Sequence, residues 1–244
     1  MATITKPPIH IGTSGWNYFH WKGVFYPPDL KSKDWLSFYG EHFDTLELNV
    51  TFYRGVKAET FEKWRALVPP GFLFSMKMSR FITHIKRLKV EAESVSRFMK
   101  GAALLGDKAG VFLIQLPPSL EYHEETVSSF LTLLNPRFRY TVEARNKSFL
   151  NDAFFSLLKE RNCAWCISES AGRFPYAEVL TADFVYMRLH GRENLYTSNY
   201  SEEELFAIKK KLIQWGKECY VYFDNDAKGF AALNAASLKK MVEG

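Results

Sequence analysis

No run of roughly eighteen apolar residues occurs anywhere in this 244-residue sequence, which excludes an ordinary membrane-spanning helix. The opening stretch, MATITKPPIHIGTSGW, lacks the apolar core of a secretory signal. Cysteine is scarce. Cys163, Cys166 and Cys219 are too few, and odd in number, for a disulfide framework, and they fit a reducing, cytoplasmic setting. The tetrapeptide CAWC has the spacing of a redox pair. It lies, however, in an apolar run read as a strand, where positions three apart face opposite sides, so buried free thiols are expected. Pro/Gly/Ser-rich linkers, internal repeats and low-complexity tracts are absent, which points to one domain over 1–244. A marked excess of one charge is lacking too. The 32 basic and 27 acidic residues leave +5, a balance that permits anionic partners without by itself arguing for nucleic acid.

What is present is a globular composition, 47% hydrophobic and 24% charged, in a chain long enough to bury a large core without disulfides or metals. Eight short apolar segments read as strands: His10–Ser14, Thr45–Val50, Leu73–Ser79, Gly110–Leu116, Arg139–Arg145, Ala164–Ser168, Phe184–His190 and Cys219–Asp224. Helical spacing of apolar residues marks Glu59–Val68, Glu93–Leu105, Glu124–Leu134, Asn151–Glu160, Glu202–Trp215 and Gly229–Val242. Ser201 followed by Glu204 has the form of a capping box. The segment AGRFPYAEVLTAD, between the sixth and seventh strands, leaves room for a helix of one or two turns. Strands alternating with helices in a chain of this length predict an α/β fold of the (β/α)8 TIM-barrel type. A doubly wound open sheet is the rival. Its phosphate loop, GxGxxG, does not fit the spacing of GTSGW, and aromatic residues rather than a helix follow.

In such a barrel, polar side chains at the carboxyl ends of strands face the pocket. They recur here strand by strand. Ser14 ends the first. Glu47 and Asn49 lie two apart, on one face, in the second. Lys77 ends the third and Gln115 the fourth. Glu143 and Arg145 lie two apart in the fifth, Ser168 and Glu169 end the sixth, and Arg188 and His190 share a face of the seventh. Asp224, Asn225 and Asp226 follow the eighth. Charges in otherwise apolar strands must pair with each other or with a ligand. Two readings follow. In one, a structural network plugs the barrel top, with Glu47 on Lys77 and Glu143 on Arg145. In the other, the same groups form a site.

As a site, Glu47, Glu143, His190 and Lys77 are the catalytic candidates. The two carboxylates would act as acid and base, the imidazole would transfer protons, and the ammonium would neutralise developing charge. Asn49, Gln115, Arg145, Arg188 and Asn225 would hold substrate, the arginines clamping a phosphate or carboxylate. A divalent metal would take Glu47, Glu143, His190 and Asp224, donor types acceptable to zinc, manganese or magnesium, although no HExxH or close Cys/His cluster is present. No motif for an organic cofactor is found. The loop WNYFHWKGVFYPPD is too aromatic for an exposed connection. It is either a satellite core or, through Trp16 with Tyr53, Tyr196 and Tyr200, a stacking wall for a ring-bearing ligand. SRFITHIKRLKVE concentrates Arg80, His84, Lys86, Arg87 and Lys89, either as a solvated face or as an anion-attracting wall.

The segments GTSGWNYFHWKGVFYP, FDTLELNVTFYR, FSMKMSRFITH, FLIQLPPS, VEARNKSF, FVYMRLHGRENLY and YVYFDN, in this order, resemble the YecE-like family, also called DUF72, over nearly the whole chain. The resemblance implies a TIM barrel. It also implies a recurrent polar set matching Glu47, Asn49, Lys77, His84, Gln115, Glu143, Arg145, Arg188, His190 and Asn225. It supplies no reaction. The sequence departs from the family pattern at Asn146, where relatives carry histidine, and at Phe149, where they carry tryptophan. Glu169 stands in for an aspartate, and Asp224 for the first of two asparagines. The functional expectation is a hydrolase-like enzyme acting on a small anionic substrate. A metal-dependent nucleic-acid-processing protein and a non-catalytic ligand-binding protein are the alternatives, with oligomeric state left open.

Overall fold

The structure is a computed structural model that describes residues 6–244. Eight strands, β1 (Ile9–Thr13), β2 (Thr45–Leu48), β3 (Leu73–Lys77), β4 (Ala109–Gln115), β5 (Arg139–Glu143), β6 (Ala164–Glu169), β7 (Phe184–Leu189) and β8 (Glu218–Phe223), pair in parallel in the order β1-β8-β7-β6-β5-β4-β3-β2. The seam between β1 and β2 is closed by a single parallel bridge, Ser14 to Glu47. Close approach there depends on Gly12. A Cβ at this position would lie 2.1 Å from the Thr45 carbonyl oxygen. The architecture is the expected (β/α)8 barrel, a fold that hosts enzymes of many kinds.

Among the described residues, eight α-helices accompany the strands: α1 (Trp35–His42), the single turn α2 (Val50–Tyr53), α3 (Ala58–Leu67), α4 (Ala92–Ala102), α5 (Glu124–Thr132), α6 (Asp152–Glu160), α7 (Glu202–Trp215) and α8 (Phe230–Glu243). The periodicity located six of them. The capping box on α7 forms as the sequence predicts: Glu204 N–H donates to Ser201 Oγ, and Ser201 N–H to Glu204 Oε2. Two expectations are corrected. Between β6 and β7 no helix forms. The segment instead crosses as irregular chain, tied down by bonds such as Trp165 N–H to Thr181 Oγ1 and Trp165 Nε1–H to the Ala177 carbonyl. After Leu48 the chain turns into α2 instead of extending to Val50.

Period-two alternation divides the interior. Outward-facing Leu46, Phe74, Phe112, Val142, Ile167, Met187 and Val221 meet the helices, while Val111, Leu113, Cys166, Tyr186, Tyr220 and Tyr222 fill the barrel. Cys163 belongs to the outer cluster and Cys166 to the inner, so the CAWC thiols face opposite sides as expected; all three cysteines are free and buried. The aromatic loop packs as a satellite core. Trp21 and Tyr26 are fully buried, Tyr26 stacks on Trp35 at 4.8 Å, and Trp21 Nε1–H donates to Asp226 Oδ1 at 2.6 Å. Among the described residues no helix is long and apolar enough to cross a membrane.

Candidate functional site

The top layer of the barrel interior is built by inward-facing residues at or just beyond the strand ends. The layer beneath is already polar. Tyr222 Oη donates to Ser75 Oγ at 2.8 Å and lies 2.6 Å from Thr45 Oγ1. Above it sits Arg188 of β7, 1% exposed, at the centre of three carboxylates. Its Nε and Nη2 donate to the two oxygens of Glu47 at 3.0 and 2.8 Å, Nη1 to Glu143 Oε2 at 2.9 Å, and Nη2 also to Asp224 Oδ2 at 3.1 Å. Ser14 Oγ–H and Tyr186 Oη–H complete the shell of Glu47, at 2.6 and 2.7 Å. Gln115 Nε2 donates to Glu143 Oε2 at 2.6 Å, and Ser168 Oγ to Oε1 at 3.1 Å. A buried bidentate guanidinium–carboxylate pair of this kind recovers its desolvation cost only when the remaining lone pairs are also bonded, as they are here.

This arrangement corrects one expectation and extends another. Glu47 pairs with Arg188 and not with Lys77, while Glu143 reaches Arg145 at 3.9 Å as expected but is held more closely by Arg188. The four donors suggested for a metal, Glu47, Glu143, His190 and Asp224, do converge, but on the guanidinium. Among the described residues no group of three or more His, Cys, Asp or Glu is arranged to hold a metal ion. The position that a cation would take between these carboxylates is filled by Arg188.

His190 is sealed in this network. Its Nε2 lies 3.2 Å from Glu143 Oε1, and its Nδ1 lies 2.9 Å from Asp224 Oδ2, close enough for an ion pair but too poorly aligned for a hydrogen bond. Burial and the Arg188 charge oppose protonation, but the two carboxylates outweigh them and raise its pKa. Burial would raise the Glu143 pKa, yet Arg188 and His190 hold it well below the usual carboxylate range; Asp224 is lowered for the same reason. Both acids are therefore fixed anions. Gly191, next in the chain, turns with φ of 104°, and a Cβ there would meet the Asn194 carbonyl oxygen at 2.5 Å.

The remaining cations are more loosely partnered, Arg145 reaching Glu143 only at 3.9 Å. Lys77, ending β3, has no carboxylate oxygen within 4.0 Å among the described residues and lies 4.2 Å from the centroid of the Phe52 ring. Burial, together with the Arg188 charge, pushes its pKa down to about 8. Arg145 stacks on Phe174 at 4.0 Å, and its buried Nε–H has no hydrogen-bond partner. His84, in a π-helical turn over Phe81–Ile85, sits edge-to-face on Phe52 at 4.8 Å. Burial and the charges of Lys77 and Arg145 push its pKa down to about 4, which keeps the ring neutral. Asn49 Oδ1 is likewise buried and unpartnered.

The other sequence-predicted residues fall elsewhere. Asn225 is fully buried and donates to Ser198 and Asn234, tying the loop after β7 to α8. Trp16 packs edge-to-face on Trp64 of α3 at 5.5 Å. Tyr53 is 73% exposed and borders a separate lateral cavity. Three contributors escaped the sequence reading. Tyr186 carried a usable signal, since it lies two residues before Arg188 and so on the same face. Phe52 and Phe174 lie in a single helical turn and an irregular segment, where no strand alternation reports direction.

The sequence and the fold have counterparts among known proteins. A curated Bacillus subtilis (strain 168) protein, "UPF0759 protein YunF", is 25% identical over 272 residues, covering 96% of this chain and 95% of that one. The crystal structure of a DUF72 family protein from Thermotoga maritima MSB8 superposes with a TM-score of 0.86 at 29% identity, covering 97% of this chain and 100% of that one. A DUF72 family protein from Enterococcus faecalis V583 shares the fold, with a TM-score of 0.83 at 21% identity and coverage of 97% and 96%. The pattern described as "Protein of unknown function DUF72" matches residues 10–244, so the chain belongs to the DUF72 family.

Proposed function

We propose that the chain is a hydrolase-like enzyme that holds a small phosphate- or carboxylate-bearing substrate at the carboxyl-end mouth of the barrel. One observation carries this reading: the carboxylates are all engaged by Arg188, while Lys77 has no carboxylate oxygen within 4.0 Å among the described residues and Arg145 has Glu143 only at 3.9 Å. The charges of Lys77 and Arg145 repel one another and keep His84 neutral, and an anionic ligand relieves that repulsion. Arg145 clamps the anion through its free Nε–H. Lys77, with a pKa near 8, both neutralises charge developing in the transition state and exchanges a proton near neutral pH. Asp224 is 21% exposed, and both of its contacts to His190 and Arg188 fall on Oδ2. Its other oxygen, in this reading, orients an attacking water, with His190 behind it. In this reading Glu47, Glu143 and Arg188 position the reacting groups and do not touch substrate.

Inorganic phosphate tests the reading directly. At about ten times Kd, binding contributes about 1.4 kcal/mol, which raises Tm by roughly 3–6 °C for a chain of this size. The expected outcome is a rise of that order in the unmodified protein, lost in Lys77→Met and Arg145→Met. Turnover of a panel of small phosphate and carboxylate esters should fall at least a hundredfold in Lys77→Met. Phosphate, sulfate and citrate all leaving Tm unchanged would remove the basis of the proposal. If Lys77→Met loses the Tm rise but no ester is turned over, the pocket is a binding site without catalysis.

A second reading rests on the exposed basic row Arg80, Lys86, Arg87 and Lys89, beside exposed Phe81. It would bind a nucleic-acid backbone with an affinity that falls steeply with salt. A metal-dependent cleavage step has less support, because Arg188 occupies the centre of the carboxylates.

A further inference from the structure

A cavity of about 460 Å³ lies outside the barrel, between the crossovers that follow β2 and β3. It exists because α2 is a single turn and the next crossover opens with a π-helical turn, so neither fills the space in front of α3 and α4. Its size is in the range of small-molecule sites. The floor is apolar, made by Phe61 of α3, Met76 on the outer face of β3, Ile82, and Phe98 of α4. Two of its polar side chains are already bonded. Thr51 Oγ1 donates to the carbonyls of Leu48 and Lys77, and Ser79 Oγ accepts from Phe81 N–H. The floor is therefore mainly apolar, with the Ser94 hydroxyl on its α4 side.

The rim is different. Tyr53, Phe81 and Ile85 are 73%, 44% and 61% exposed, three large hydrophobic residues gathered at one opening. Exposed apolar surface concentrated in this way marks a binding site. Arg54, Arg80 and Arg97 also border the opening, and no acidic residue lines it. Arg97 pairs with Glu93 along α4, but no carboxylate oxygen lies within 4.0 Å of Arg54 or Arg80 among the described residues.

We infer that this lateral cavity binds a single-chain amphiphile with a carboxylate head, the chain lying on Phe61, Met76, Ile82 and Phe98 and the head meeting Arg54 and Arg80. The site is separate from the barrel mouth: Phe52 stands between them, with Lys77 against its ring. An apolar chain accounts for the unbonded floor, and an anionic head for the unopposed arginines. A nucleic acid would satisfy only the second.

Isothermal titration with monomeric dodecanoate tests this. One equivalent should bind in the micromolar range, at least tenfold more weakly in Arg54→Ala/Arg80→Ala, and not measurably in Ser94→Phe, which fills the cavity from α4. Dodecyltrimethylammonium, with the same chain and the opposite charge, should bind at least tenfold more weakly than dodecanoate. The inference is overturned if the cation binds as tightly as the anion, or if binding survives both variants. It is also overturned if a single-stranded oligonucleotide binds in a manner that Arg54→Ala/Arg80→Ala abolishes while dodecanoate does not bind. The arginine pair is exposed, so that variant decides the question even if Ser94→Phe folds poorly. Phosphate should still raise Tm in every variant, which separates failure here from failure of the barrel-mouth site.

Discussion

Arg188 is the residue on which the top of the barrel depends. It supplies the buried positive charge for Glu47 and Glu143, both fully buried, and removing one partner of such a pair strands the other. Arg188→Met should cost about 3–5 kcal/mol in a urea melt at pH 7. The deficit should narrow towards pH 4, as the stranded carboxylates take up protons. A deficit independent of pH would mean that lost packing, not stranded charge, is the cause. Lys77 is the opposite case, a buried cation without an anion. Lys77→Met should leave stability unchanged or raise it by about 1–3 kcal/mol while abolishing the response to phosphate, the trade expected of a residue kept for function.

At the scale of elements, the seam between β1 and β2 is the thinnest part of the barrel. Seven neighbouring pairs share ladders, one of them (β3–β4) interrupted by a register shift, while this one has only the Ser14–Glu47 bridge. The bridge joins the same two residues whose side chains bond at 2.6 Å, so closure and the charge network form together. Gly12→Ala should therefore lower stability by about 3 kcal/mol, since the methyl group meets backbone oxygen and not a side chain that can swing away. Gly55→Ala, with nothing within 4 Å of the new carbon, should stay within about 0.5 kcal/mol in the same denaturant titration. The elements themselves were legible to differing degrees. All eight strands were found because alternation and flanking breakers report directly on a two-sided sheet. Helix α1 was missed because its apolar residues, Trp35, Leu36, Phe38 and Tyr39, merge with the aromatic loop before it. The segment between β6 and β7, whose length leaves room for a helix of one or two turns, is instead held as irregular chain by tertiary hydrogen bonds to Trp165.

For the whole molecule, the titrating groups set a pH profile with separable limbs. Glu143 and Asp224 are lowered in the folded state, so the stability they contribute is present above their unfolded values, near 4, and is lost as pH falls through the folded ones. His190 is raised, so its contribution is present below about 6.5 and is lost as pH rises through the folded value. Lys77 is lowered to about 8, so its penalty is relieved as pH climbs from there towards the unfolded value. Tm measured from pH 3 to 10 should fall steeply on the acid side. His190→Gln should remove the decline above neutrality, and Lys77→Met the recovery above pH 8. Superimposable profiles for the three proteins would refute these assignments.

By itself the sequence determined the architecture and which polar side chains gather at the strand ends. Period-two alternation fixes which side chains point inward, and position at a strand's end fixes which of them reach the mouth, so Glu47, Lys77, Gln115, Glu143, Arg188 and His190 could be named from local pattern alone. Only the tertiary structure decided how they pair. Arg188 and Glu47 lie 141 positions apart in the chain, and nothing local to either records that barrel closure brings them within 2.8 Å. Lys77 offered an equally plausible charge, but its side chain lies against Phe52, so electroneutrality could be satisfied on paper by several pairings and in space by one. The lateral cavity arises in the same way, as the gap left between two crossovers, a property of how elements meet and not of any residue within them.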